Sequence, residues 1–266
     1  MFEKKKLIEI LSSKKKLNNK KIKVKILSNL ILNNLSEILD YYLSEIGLDP
    51  EITVGNYDNI IQEIEYTKNY DLVIIYFELC NTVDEFDINL FTKDEKYLDD
   101  IFNKIKKDIN FINENIAKEK LIFFNKLSYR VFVNHFDNHF KLKSKIDELN
   151  NFITNLNNKN LILVDIENIF MEIGIKNCID KRLFYSSKVL YNPNFFIEYS
   201  ILIASLLTQK LGLGKKVLIL DCDNTLWKGI VGDDGPNGID MSKNSEIGSY
   251  FYKAQSILKS FKKKWI

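Results

Sequence analysis

Residues 215–238 read KKVLILDCDNTLWKGIVGDDGPNG, and the reading of this stretch decides which fold to expect. Val217, Leu218, Ile219 and Leu220 form a short unbroken apolar run, the pattern of a parallel strand covered on both faces. Asp221 follows the run with no spacer, and Asp223 and Thr225 come at intervals of two. In an open α/β sheet the ligand crevice lies beyond the carboxyl ends of the strands, so acids at that point are placed for chemistry. In Asp-x-Asp-x-Thr the first carboxylate can attack a phosphoryl group and the second can carry the leaving group's proton. The hydroxyl can hold the loop or touch phosphate. Two carboxylates repel an anionic substrate, so a hard cation, Mg²⁺, is expected with Asp221 and Asp223 as its ligands. An EF-hand does not account for the pattern: counting from Asp221, its required Gly and Glu positions hold Leu226 and Gly232.

The longer string DCDNTLWKGIVGDDG, residues 221–235, resembles the first motif of the haloacid dehalogenase (HAD) superfamily, in its IIIC subfamily of FkbH-like proteins. Asp221, Cys222, Asp223, Asn224 and Thr225 carry the motif. Trp227 and Gly229 supply its turn, and Gly232, Asp233, Asp234 and Gly235 an acidic glycine-rich flap. The resemblance implies that Asp221 forms an aspartyl-phosphate and that Asp223 is the general acid and base. Thr225 and the carbonyl of Asp223 would organise the loop and the metal, with Asn224 and Cys222 in the same substrate-facing loop. The implied substrate is a phosphorylated small molecule. For the FkbH type, a glyceryl unit passes from a phosphorylated three-carbon donor to an acyl carrier protein, and Cys222 could hold the acyl group as a thioester. Buried apolar filler is the equal alternative for that thiol.

From Ser245 to Lys264 apolar residues recur at helical spacing, and the sequence reaches Ile266 soon after. The family's later elements are a phosphate-binding Ser or Thr after the next strand, a Lys and a further acidic pair, and none has a counterpart in these residues. Residues 213–266 are therefore expected to be the first strand, flap and helix of an incomplete HAD Rossmann-like domain, truncated and inactive alone. A non-catalytic docking module or the remnant of an interrupted gene is the alternative.

Upstream, strand and helix patterns alternate. Strands are expected at Ile22–Leu27, Glu51–Val54, Leu72–Phe77, Leu121–Phe124 and Leu161–Val164. Helices are expected over 30–46, around Ile60–Ile64, and over 96–118, 141–156 and 195–210. This alternation predicts an α/β, flavodoxin-like three-layer sandwich with a parallel sheet, within residues 21–212. Residues 1–20 read as a basic helix with an apolar side at Leu7, Ile8 and Leu11.

The arrangement resembles the SGNH-hydrolase-like domain that precedes the phosphatase domain in FkbH-like proteins. An active SGNH esterase would need a Ser after the first strand and a late Asp-x-x-His. Ser28 fits the first, but the late block is Asp180-Lys181-Arg182-Leu183, without histidine. A Ser hydroxyl without a base is a weak nucleophile, so this domain reads as non-catalytic, with Ser28 and Asn29 as turn and cap residues. His135 and His139 lack a third ligand and read as structural.

Composition narrows the remaining classes. An apolar content of 45% over 266 residues suits a packed core in one large or two ordinary domains. The 38 basic residues nearly balance the 36 acidic ones, so charge gives no reason to expect a nucleic acid or membrane partner. The lysine runs at 4–6 and 14–16 have no interleaved aromatics and read as solvated helix faces. Cys80, Cys178 and Cys222 are scattered, no segment is a signal peptide, and no run reaches membrane-span length. A cytoplasmic protein is expected.

Overall fold

The computed structural model describes residues 5–13, 20–83, 86, 89, 93–117, 119–132, 139–214 and 217–264. The chain divides into two compact units, Met1–Leu213 and Gly214–Ile266.

In the first unit five strands form one parallel sheet: β1 (Lys20–Ser28), β2 (Leu48–Val54), β3 (Leu72–Tyr76), β4 (Leu121–Asn125) and β5 (Leu161–Val164). Their order is β2-β1-β3-β4-β5, the flavodoxin-like order, whose switch point lies between β1 and β3. All five residues of β3 are fully buried, as its LVIIY sequence demands of a central strand. Pro50, which cannot donate to a ladder, sits in β2 at the sheet's edge.

Helices cover the sheet in two groups. α1 (Leu7–Ser12), α2 (Leu35–Glu45), α6 (Glu167–Ile173) and α8 (Pro193–Lys210) pack on one another. α3 (Ile60–Glu63), α4 (Glu95–Asn115) and α5 (His139–Thr154) form the other group, and the short α7 spans Lys181–Ser187. The three-layer sandwich is therefore present. Local chemistry sets the starts: the Asp94 carboxylate accepts the N–H of Tyr97, and the Asn192 amide oxygen accepts those of Asn194 and Phe195, with Pro193 in the first turn. α4 buries Ile101, Phe102, Ile105, Ile109 and Ile112, one stripe at helical spacing.

The expected apolar side of α1 needs correction. In α1 the buried side is Ile10, with Leu7 partly covered, while Ile8 and Leu11 are exposed. Positions three apart share a helix face, and this six-residue helix presents the face of 7 and 10. Of the basic helix expected over 1–20 the structure shows Leu7–Ser12, with Ser13 extended and Lys20 already in β1, while residues 1–4 and 14–19, and His135, lie outside the described residues.

In the second unit Val217–Leu220 has no regular secondary structure, joins no ladder among the described residues and is exposed at 74, 61, 89 and 39%. The expected buried strand is thus not formed, because a strand is buried only between neighbours and no described residue pairs with it. The chain then makes a turn closed by an isolated bridge between Asp223 and Trp227, a second bridge between Lys228 and Asp240, the short α9 (Val231–Asp234) and the long α10 (Gly248–Lys264). Among the described residues, no helix is long and apolar enough to cross a membrane.

Candidate functional site

The acidic motif follows the exposed apolar run Val217–Leu220 in the second unit. Asp221 is exposed, and its Oδ1 accepts the N–H of the adjacent Cys222 at 2.7 Å. Asp223 is half-buried and held differently: its Oδ1 accepts the indole N–H of Trp227 at 3.0 Å and the backbone N–H of Val231 at 3.2 Å. The carbonyl of Cys222 accepts the N–H groups of Thr225 and Leu226, which curls the chain directly after the motif. The Cys222 thiol is exposed, so it is not the buried filler that one reading allowed.

Asn224 takes φ +52°, a left-handed conformation that Asn tolerates better than most residues. Its side-chain oxygen accepts the N–H of Gly229 at 2.9 Å, and its own N–H donates to the Gly229 carbonyl. Gly229, at φ +101°, could not carry a side chain freely, since a Cβ there would meet Asp234 Oδ2 at 3.0 Å. Asp234 in turn accepts the N–H of Ile230 at 2.8 Å. Thr225 is exposed at the loop's surface.

The downstream acid Asp240 is also committed to the loop. It accepts the hydroxyl of Ser245 and the N–H of Ser242, and the Ser245 hydroxyl holds its carboxyl below the usual range. The structural duties of Asp234 and Asp240 were not legible from the motif. Trp227, four residues after Asp223 across a tight turn, was a readable signal for an indole donor.

The oxygens of Asp221 and Asp223 suit Mg²⁺ in kind, because this hard cation takes carboxylate, carbonyl and water oxygens. They do not suffice in number. Among the described residues no group of three or more His, Cys, Asp or Glu is placed to hold a metal ion. The two residues therefore match Mg²⁺ in donor type only.

At the carboxyl end of the first unit's sheet, asparagines occupy the positions where a crevice would open. Asn29, after β1, accepts the N–H of Glu78 and donates to its carbonyl, both at 2.8 Å. Asn125, at the end of β4, does the same for Phe77 at 2.6 and 2.9 Å, and Asn150 for Leu127 at 2.9 Å each. The amides of Asn29 and Asn125 continue the sheet's hydrogen bonding past its last ladder rungs, while Asn150 ties helix α5 to the loop after β4. Asn29 is therefore a buried tie between β1 and β3, where a cap residue was expected. Ser28 is buried, and its hydroxyl oxygen accepts the N–H of Leu30. Asp180 caps α7 through the N–H groups of Arg182 and Leu183, and Leu183 stands where an esterase would need its base.

Sequence reasoning passed over Glu78. It lies just beyond β3, is 1% exposed, and its Oε1 accepts the Tyr191 hydroxyl at 2.6 Å. Burial pushes its carboxyl up to about 8, against the pull of the Tyr191 hydrogen bond. An acid directly after the most apolar run of the first unit was the available signal, the same one that singled out Asp221.

No protein-family model matches the chain, and neither does any curated protein sequence. Among solved structures, the chain is similar to the N-terminal part of the protein BF1531 from Bacteroides fragilis, which contains a phosphatase domain and was crystallised with Mg. That match has a TM-score of 0.71 at 18% identity and covers 92% of this chain and 67% of the other. The lipase Lip_vut3 from a goat rumen metagenome matches with a TM-score of 0.51 at 13% identity, over 73% of this chain and 99% of its own. At these identities the likeness is one of fold: an α/β, hydrolase-like architecture.

Proposed function

We propose that this chain carries the nucleophile-bearing part of a Mg²⁺-dependent phosphatase or phosphoryl-transfer enzyme of the HAD type, acting on a phosphorylated small molecule. The supporting observation is the unequal treatment of the two carboxylates. Asp223 is oriented by an indole N–H and a backbone N–H, as a positioned acid and base should be, while Asp221 is left exposed.

In this reading a carboxylate oxygen of Asp221 attacks phosphorus, and the bond to the leaving oxygen breaks as the aspartyl-phosphate forms. The carboxyl proton of Asp223 goes to the leaving oxygen. A water then attacks phosphorus while Asp223 takes its proton, which releases phosphate and restores Asp221. Asp221 and the Asp223 carbonyl would hold Mg²⁺, which offsets the negative charge gathered at the phosphoryl group. The finer FkbH-type reading, glyceryl transfer to an acyl carrier protein, rests on the resemblance of residues 221–235. In it the exposed Cys222 thiol takes the acyl group as a thioester, with phosphate leaving.

Phosphate release from p-nitrophenyl phosphate tests the coarser reading. In keeping with an incomplete site, release by this chain alone is expected to stay barely above background, to need Mg²⁺ and to disappear in Asp221→Asn, and robust turnover by the chain alone would contradict the incomplete site. Release that is unchanged by Asp221→Asn would overturn the coarser reading itself.

A further inference from the structure

At the switch point of the first unit's sheet, where Asn29 ties β1 to β3, a crevice of about 190 Å³ is lined from the ends of those two strands and from α3 and α4. Open α/β sheets hold their ligands in this place. The volume is well below the ~300–1,000 Å³ of sites for drug-sized molecules, so an occupant must be small. The floor is apolar: Phe77 after β3, Ile60 of α3 and Ile112 of α4 are all buried. The walls are polar. Asp58, in the loop between β2 and α3, stands near Lys104, and Asp108 lies four residues after that lysine on the same side of α4.

These walls offer mainly acceptors. The Asn81 amide spends its N–H groups on the Asn29 carbonyl at 2.6 Å and the Tyr57 hydroxyl at 2.9 Å, and the Thr82 hydroxyl donates to the Leu79 carbonyl at 2.7 Å. Both residues therefore have only lone pairs left for the crevice. Among the described residues the carboxylates of Asp58 and Asp108 take part in no hydrogen bond or salt bridge. Lys104 pulls both carboxyls down and Lys188, which lies over the Phe184 ring and outside the lining, pulls on Asp58; burial nevertheless holds both above the usual carboxylate range. The lining thus has two carboxyls against one lysine, an excess of acceptors and an apolar floor. A polyol would leave the excess charge unanswered. A bare metal ion would leave the floor unused, and no group of three acidic, His or Cys residues among those described is placed to hold one. We propose that this crevice binds a small organic ammonium, a primary amine on a short apolar body. Its N–H groups would go to Asp58, Asp108 and the Asn81 side-chain oxygen, and its body would rest on Phe77, Ile60 and Ile112.

The probe is n-butylammonium chloride, titrated into the full chain and followed by the backbone amide resonances in NMR. Saturable shifts centred on residues 60–62, 77 and 81–82 are expected, with a roughly millimolar Kd, since so small a ligand has few atoms to contribute. 1-Butanol has the same body without the charge and should bind at least about tenfold more weakly. Asp58→Asn and Asp108→Asn keep the shape of the side chain, and Asn tolerates the φ of +58° at position 58. Each should weaken the amine by about tenfold. Equal binding of 1-butanol would overturn the proposal in favour of a plain apolar cavity, and displacement of the amine by equimolar Mg²⁺ would do so in favour of an inorganic cation site. An absence of shifts, or shifts that never saturate, would overturn it as well. So would amine binding that is unchanged in both variants when their urea midpoints show them folded.

Discussion

Glu78 is uncharged at neutral pH in the folded chain, because burial lifts its carboxyl from the ordinary 4.5 to about 8. Below about pH 4.5 both folded and unfolded states hold this proton, and the residue is neutral toward stability. Between 4.5 and 8 the unfolded chain releases the proton while the native one keeps it. Stability should therefore fall as pH rises through that window, by up to about 1.4 kcal/mol per pH unit from this group. Glu78→Gln keeps an acceptor for the Tyr191 hydroxyl and removes the titration. Urea midpoints measured from pH 5 to 8 should fall for the native sequence and stay flatter for the variant; parallel curves would show that Glu78 does not control the slope. The cysteines give a second prediction at this scale. Cys80 and Cys178 are buried, and burial pushes the Cys178 thiol up to about 12, while Cys222 is exposed. A thiol reagent should label one group in the native protein and none in Cys222→Ser, provided denaturation exposes the other two in both.

At the scale of elements, the asparagine ties explain why the first unit reads as a scaffold. Asn125 pairs with both backbone groups of Phe77 inside a buried layer, where an orphaned donor or acceptor costs about 1–3 kcal/mol. Asn125→Leu should destabilise the chain by roughly 2–6 kcal/mol, two such groups being left unpaired. Asn115→Ala, which removes an exposed bond to the Phe111 carbonyl, should change stability by no more than about 0.5 kcal/mol. Equal effects of the two substitutions in denaturant unfolding would refute the role of the tie. β3, β4 and β5 were legible because each is a short, largely apolar run, and α4 because its isoleucines recur at helical spacing. The ties were not, since a single Asn after a strand looks the same whether it caps a turn in solvent or bridges two strands. The direction faced by α1 was also hidden, because six residues with apolar groups at 7, 8, 10 and 11 leave the choice of side to packing. The motif at 221–225 could be read as a list of donors. What escaped the sequence was that its preceding run would stand uncovered, for burial is a property of neighbours and not of the run itself.

At the scale of the whole molecule the chain is unevenly built. Leu72, Val73, Ile74 and Ile75 are each 0% exposed and lie within one continuous apolar core, whereas Ile219 is 89% exposed on an apolar run of the same kind. The hydrophobic contribution follows the area removed from water, so two isoleucines in similar sequence surroundings should differ sharply in what they hold together. Ile74→Ala should cost about 2–5 kcal/mol, the transfer term being joined by a cavity in a packed layer. Ile219→Ala should shift stability by no more than about 0.5 kcal/mol, as for a surface position. Both are read from the same urea transition of the first unit, followed by near-ultraviolet circular dichroism. A loss in Ile219→Ala comparable to that in Ile74→Ala would mean that the segment is buried in solution. A small loss there beside a large one at Ile74 would fix the division of labour: the sheet of the first unit supplies the stability, and the second unit holds its carboxylates on a loop after an exposed apolar run.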